Sequence, residues 1–201
     1  MTELVFATNN AHKLDELRAI AGNRFRLLSL ADIACHDDIP EDADTLEGNA
    51  LAKARWVSSR YGVDCLADDT GLEVDALGGL PGVHSARFAP GCDHDSAANT
   101  RLLLEKLAGV PEEKRTARFR TVMALIRRGQ EPQLFEGSVE GSILESPRGD
   151  GGFGYDPVFR PLGWTKSFGQ ASPDEKNAVS HRARACKALI DALDGLKTNL
   201  I

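Results

Sequence analysis

The stretch Cys65, Leu66, Ala67, Asp68, Asp69, Thr70, Gly71 constrains this chain more than any other. Residues 63–67 form a short run that suits a buried strand, and it ends abruptly in two adjacent carboxylates, a hydroxyl and a glycine. Alternate strand residues point to opposite faces, so Asp68 and Asp69 diverge unless the strand is already breaking, and Thr70 and Gly71 predict that break. At least one carboxylate then faces a cleft. Two acids this close repel each other in a low-dielectric site, and a divalent cation is the commonest thing that makes such a pair tolerable. The other reading is an Asx-turn, in which one aspartate caps Gly71 and its neighbour is solvated.

At 201 residues the chain is long enough for one sizeable core, and a single α/β domain over 1–201 is expected. A net charge of −6 argues against a nucleic-acid partner, whose binding domain is usually basic, so a polyanionic substrate would need a local basic site. No apolar stretch reaches the roughly 20 residues of a membrane span, and the first residues lack a basic targeting region; a cytoplasmic protein without a membrane partner is expected. The cysteines at 35, 65, 92 and 186 are too irregularly spaced for a zinc site and read as small hydrophobes, and the histidines at 12, 36, 84, 94 and 181 form no pair with metal-ligand spacing.

Residues 4–7 read as a strand, broken by Thr8, Asn9 and Asn10 before Leu14, Leu17, Ile20 and Ala21 recur at helical spacing. That turn gathers a hydroxyl, two amides and the first free N–H groups of a helix, with Lys13 one turn in, which makes a plausible phosphate cradle; the simpler reading is that Asn10 caps the helix and Lys13 is solvated. A second strand follows at 25–30, then an acidic loop over 36–44, then a long helix lined by Leu46, Ala50, Ala54, Val57 and Tyr61 and opened by Asp44 and Glu47 in capping-box spacing. Most of the loop acids read as solvated, although one could reach the cation at Asp68 and Asp69. Residues 77–83 are too glycine-rich for regular structure and too apolar for a solvent loop, so they are packed or in an interface. A helix begun near Asp93 or Asp95 ends at Val110 and Pro111, and β runs at 119–126 and 134–144 form a hairpin with one wet face.

Glycines from Gly149 to Gly154 satisfy G-x-G-x-x-G, but Asp156, Pro157, Val158 and Phe159 continue as extended chain, so the match is not a dinucleotide fingerprint. What remains is a loop where backbone can approach a ligand, with Phe153 and Tyr155 able to pack on something flat. Near the C-terminus a helix carrying Ala183, Cys186, Ile190 and Leu193 has Ser180 as cap and Gly195 as stop. Lys176, His181 and Arg182 sit at or before its N-terminus, where basic groups oppose the macrodipole, so an anion or acceptor-rich ligand is wanted there.

The motifs from Phe6 to Lys13, from Thr45 to Ala54, from Ala67 to Leu72, from Leu77 to Gly82, from Gly152 to Pro157 and from Glu175 to Arg182 together resemble the inosine triphosphate pyrophosphatases. The resemblance spans nearly the whole chain. It implies an elongated mixed-sheet α/β fold with two lobes and a central cleft, a homodimer, a magnesium requirement, and hydrolysis of the nucleoside triphosphates ITP, dITP and XTP to the monophosphate and pyrophosphate. Carried over by position, Thr8, Asn9, Asn10, Ala11, His12 and Lys13 bind the phosphates. Glu41, rather than Asp42 or Glu47, and Asp69 hold magnesium, Asp68 sharing the cation, and Asp69 is the proton acceptor. Thr70, Phe153, Gly154, Tyr155, Asp156, Lys176, His181 and Arg182 resemble substrate contacts. Two departures stand out: many members have Thr-Gly-Asn where Thr8, Asn9 and Asn10 stand, and many have serine in place of Thr70.

Two other readings compete with this one. A Maf-like nucleotide pyrophosphatase would act on other nucleotides and lack the Ser180, His181, Arg182 motif. A non-catalytic nucleotide-binding module gains nothing from paired carboxylates beside phosphates, which repel an anion unless a metal intervenes. Donors at Lys176, His181 and Arg182 suit a 6-oxo purine and disfavour the 6-amino group of adenine.

Overall fold

The computed structural model describes residues 2–198, and its chain begins strand, helix, strand, helix, strand: β1 (Thr2–Phe6), α1 (Ala11–Ala21), β2 (Phe25–Leu28), α2 (Leu46–Tyr61) and β3 (Cys65–Val74). It continues with β4 (Pro81–Gly82), α3 (Ser96–Lys106), β5 (Thr116–Ile126), β6 (Gln133–Ile143), β7 (Phe159–Pro161), α4 (Pro173–Val179) and α5 (His181–Thr198), with short 3-10 turns between. β1 pairs parallel with both β2 and β3, while β4 on β3 and β7 on β6 are antiparallel. The strand order of the mixed sheet is β2-β1-β3-β5-β6-β7, with β4 off this path beside β3. Parallel neighbours need a crossover, and α1 and α2 supply it.

Two compact units share these strands. The first takes residues up to 69, 121–137 and those from 181 on; the second takes 70–120 and 138–180. Each has its own core. In the first, Leu4, Phe6, Leu66, Met123 and Leu125 of the strands meet Leu17 and Ala21 of α1 and Ala185, Cys186 and Leu189 of α5. In the second, Val74, Phe119, Val139 and Ile143 pack with Leu103, Leu107, Phe159 and Phe168, the Phe119 and Phe159 rings lying 4.7 Å apart at their centroids. Each fully buried Leu or Phe contributes about 1.5–3 kcal/mol. The second unit also buries Arg115, whose guanidinium donates to the carbonyls of Ile143, Leu107 and Leu144. Among the described residues this cation is held by backbone carbonyls.

Several sequence expectations need correction. β3 does not break at Thr70 and Gly71 but runs ten residues through both aspartates. Gly71 is there for proximity: a Cβ on it would lie 2.6 Å from the Gly82 carbonyl oxygen, so the glycine lets β4 close against β3. β4 is also the only regular strand in the 77–83 stretch, where Leu80 is exposed. The N-cap of α2 is Thr45, whose hydroxyl accepts from the Gly48 N–H at 3.0 Å, rather than an Asp44 capping box. The basic segment before α5 is itself a helix, α4, opened by a Ser172–Glu175 capping box with Pro173 at its first turn. Gly195 lies inside α5; a glycine lowers helix propensity by only about 1 kcal/mol. It ends a helix where it turns left-handed, as Gly62 does after α2 at φ 64°.

Two cap assignments and the reading of the cysteines hold. Asn10 caps α1, its side chain accepting from the Lys13 N–H, and Asp95 caps α3. The four cysteines are free, three of them buried. Among the described residues no helix is long and apolar enough to cross a membrane.

Candidate active site

Asp68 and Asp69 are both buried, the last two residues of β3 that belong to the first unit, and they meet different partners. Because β3 continues unbroken past Thr70 and Gly71, against expectation, strand alternation sends the two side chains to opposite faces. Asp68 Oδ1 accepts from Lys13 Nζ at 3.1 Å, and its Oδ2 accepts from Arg182 Nη2 at 3.2 Å. Arg182 is fully buried and also donates to Glu16. Thus α1 and α5 supply two cations and a further acid to Asp68. Asp69 Oδ2 accepts from Asn49 Nδ2 at 3.1 Å, and its Oδ1 lies 3.4 Å from Lys53 Nζ. Lys53 Nζ donates at 2.5 Å to Glu41 Oε1, and Asn49 Oδ1 accepts the Ala43 N–H at 2.9 Å. Thus α2 ties the acidic loop to Asp69.

These surroundings drive the two acids apart. Burial pushes Asp68 up, but Lys13, then Arg182, then Lys53 outweigh it and hold the carboxyl well below the usual carboxylate range. At Asp69 burial wins over Lys53, Lys13 and the Asn49 hydrogen bond, and the carboxyl is raised. Lys53 follows the same logic in reverse: burial pulls the ammonium down, while Asp69 and Glu41 more than offset this and raise it. One acid is a fixed anion and its neighbour has a raised affinity for a proton. Neighbouring groups pushed in opposite directions are what acid–base chemistry uses.

The expected phosphate loop lies between β1 and α1, with Thr8 half-buried and Asn9, Asn10, Ala11 and His12 exposed. Thr8 Oγ1 accepts the Asn10 N–H at 3.2 Å, so this turn is organised locally, and Lys13 reaches from it to Asp68. A helix N-terminus and a lysine side by side form a chemically suitable anion seat.

The second unit holds the other expected contacts. Thr70 follows Asp69 on β3 and is half-buried. Phe153 is half-buried, Gly154 has φ 62°, and Tyr155 is buried with its hydroxyl donating to the Ser85 carbonyl at 2.8 Å. Asp156 and Lys176 are buried as an ion pair at 2.6 Å, and the Lys176 ammonium lies 4.6 Å from the Phe153 ring centroid. The Tyr155 side chain is thereby spent inside the fold. His181 opens α5 in the first unit and is buried, with Gly137 of β6 pressed on it: a Cβ at 137 would lie 2.2 Å from the His181 carbonyl oxygen. Arg182 differs most from its expected role of base contact, since its guanidinium is directed at Asp68 and Glu16.

Sequence reasoning missed Asn49, Lys53 and Glu16. The signal was present for the first two, a polar pair at i, i+4 on the same buried face as Leu46, Ala50, Ala54 and Val57. Glu16 sits one turn beyond Lys13 on α1, where the same spacing rule applies.

Glu41 and Asp69 are two hard oxygen donors that both face Lys53 Nζ, and among the described residues no three His, Cys, Asp or Glu side chains group together. One or two carboxylates, completed by substrate phosphate and water, is the usual protein share of a magnesium site. Asp68 is directed at Lys13 and Arg182 instead.

The Ham1 family profile matches residues 4–192. A protein of Porphyromonas gingivalis named dITP/XTP pyrophosphatase is 53% identical over 193 residues, covering 96% of this chain and 98% of that protein. One of the same name from Mycobacterium tuberculosis is 50% identical over 202 residues, covering 98% of each. The solved structure of the Staphylococcus aureus Ham1 protein superposes with a TM-score of 0.86 at 34% identity, over 96% of this chain and 99% of that one.

Proposed function

This chain belongs to the Ham1 family, and from that premise we propose that it is a nucleoside triphosphate pyrophosphatase acting on dITP, XTP and ITP. The observation that carries the reading is the divergence of Asp68 and Asp69: adjacent residues, both buried, one held anionic and one given a raised proton affinity.

The reaction joins a water oxygen to the α-phosphorus, breaks the bond from that phosphorus to the bridging oxygen, and releases pyrophosphate with the bonding electrons. Asp69 takes the proton that water must lose; its raised pKa brings it nearer the working pH, where a general base is most effective. Asn49 and Lys53 hold its carboxylate in place. Lys13 and the start of α1, with Thr8, Asn9, Asn10, Ala11 and His12, receive the phosphates. Asp68 favours the charged forms of Arg182 and of Lys13, the latter against a burial that lowers its pKa, and fixes both, so Arg182 is assigned the posture of Asp68 rather than the base. Glu41 and Asp69 would hold magnesium, which when bound neutralises phosphate oxygens. Thr70, Phe153, Gly154, Tyr155, Lys176 and His181 are assigned to substrate on the strength of the resemblance. Lys176 and His181 offer donors to a 6-oxo group, and sites built on such bonds can reject the wrong base by as much as about 10⁴–10⁵. The same resemblance carries the homodimer, for which the exposed Leu80 is an available apolar contact, and the cytoplasmic location.

The test is incubation with dITP or XTP and magnesium, followed by identification of the phosphate species. Pyrophosphate and the monophosphate should appear together, and ATP should be a poor substrate. Orthophosphate appearing first would contradict the reading, and undiminished turnover after thorough chelation would contradict the metal.

A further inference from the structure

The segment from Gly152 to Asp156 closes on itself through one carboxylate. Asp156 is 2% exposed, and its Oδ2 accepts both the Phe153 N–H at 2.8 Å and the Lys176 ammonium at 2.6 Å. Two donors, one on a loop backbone and one on α4, therefore converge on a single oxygen. The same ammonium lies 4.6 Å from the Phe153 ring centroid, within cation–π range, so the carboxylate, the lysine and the aromatic ring form one closed unit.

Local backbone geometry is shaped around that oxygen. Gly152 has φ +71°, and a Cβ there would stand 2.2 Å from Asp156 Oδ2, so only glycine at 152 lets the carboxylate fold back. On the other side, the Tyr155 hydroxyl anchors the turn to the Ser85 carbonyl, and Pro157 stiffens the 3-10 turn that Asp156 opens. A side chain this enclosed is badly placed to touch a nucleotide, and well placed to fix what does. Phe153, by contrast, is half-buried with an exposed part to offer.

We propose that Asp156 is a positioning residue that holds Phe153 and Lys176 as a single preorganised element for the purine, rather than a substrate contact. This deepens the nucleotide pyrophosphatase reading and rests on it. Preorganisation acts on binding: loosening the element costs affinity without touching the water, Asp69 or the phosphates. Because Asp156 acts through Lys176, its loss should add little once Lys176 is gone.

The experiment is a double-mutant cycle of Asp156→Asn and Lys176→Met, with kcat and KM measured on dITP and folding followed by thermal denaturation. Asn keeps the shape and an acceptor for the Phe153 N–H but removes the charge facing Lys176. Asp156→Asn should raise KM about tenfold or more while kcat stays within about threefold, and the double variant should be no worse than Lys176→Met. Losses that multiply, or a loss confined to kcat, would overturn the proposal. If Asp156→Asn melts early, the KM of the folded fraction still decides, because a merely smaller active fraction lowers apparent kcat and leaves KM alone. Wild-type protein inert toward dITP and XTP would overturn the pyrophosphatase reading and this role with it, whereas active wild type with an additive cycle would overturn this role only.

Discussion

On one face of β3 an aspartate is surrounded by more cation than it needs; on the other, its neighbour in sequence has too little. Asp68 meets Lys13 and Arg182, with Glu16 beyond, and its charge is favoured despite complete burial. Asp69 meets an amide and a single shared ammonium, and burial wins. The backbone, the depth and the residue type are nearly the same, so the partners alone decide. Partners come from whichever helix covers that face: α1 and α5 bring Lys13 and Arg182, whereas α2 brings Asn49 and Lys53. A strand bearing adjacent acids between unlike helices thus gives a fixed anion and a proton acceptor from two identical side chains.

The comparison breaks most visibly in activity. Asp69→Asn should lower turnover by about 10²–10⁴-fold, the usual worth of a general base, while the melting temperature holds or rises, because a neutral group suits a site where burial disfavours charge. Steady-state rates beside a thermal melt check both halves. Asp68→Asn should do the reverse in stability, destabilising by about 3 kcal/mol, since it leaves Lys13 and Arg182 buried with less negative charge. Denaturant unfolding measures this. The pH dependence has a definite sign: the folded pKa of Asp68 is depressed, so its contribution is present above the unfolded value of about 3.9 and is lost as pH falls through the lower folded value.

Lys53→Met sharpens the contrast by removing the cation that restrains Asp69 most, ahead of Lys13. Since Lys53 lowers the Asp69 pKa, its loss should raise it further and move the acid limb of the pH–rate profile to higher pH. An acid limb that stays in place would mean that Asp69 is not the group being titrated.

Much of this was legible before any coordinates. The start of β3, the Asn10 cap and the strand-turn-helix around Lys13 follow from local pattern, and the matched motifs reach nearly end to end. What escaped was set by distant partners. Gly71 read as a break because a glycine after two acids and a hydroxyl looks like a turn, whereas it serves β4, eleven residues on in the chain at Gly82. Arg182 read as a base donor because nothing local tells that Glu16, from the far end of the chain, faces it. Lys53 lies within a matched motif but takes no role from its local pattern, because a lysine in a helix is ordinarily solvated, whereas here it is 4% exposed between two carboxylates.

The most direct test of the divergence is to titrate the two carboxyls themselves, by following the side-chain carboxyl carbons of Asp68 and Asp69 in isotope-labelled protein by NMR, each assigned from its Asn variant. Asp68 should titrate below the ordinary aspartate value and Asp69 above it. Two carboxyls titrating together near the ordinary value, or in the opposite order, would contradict the assignment of Asp68 as fixed anion and Asp69 as proton acceptor.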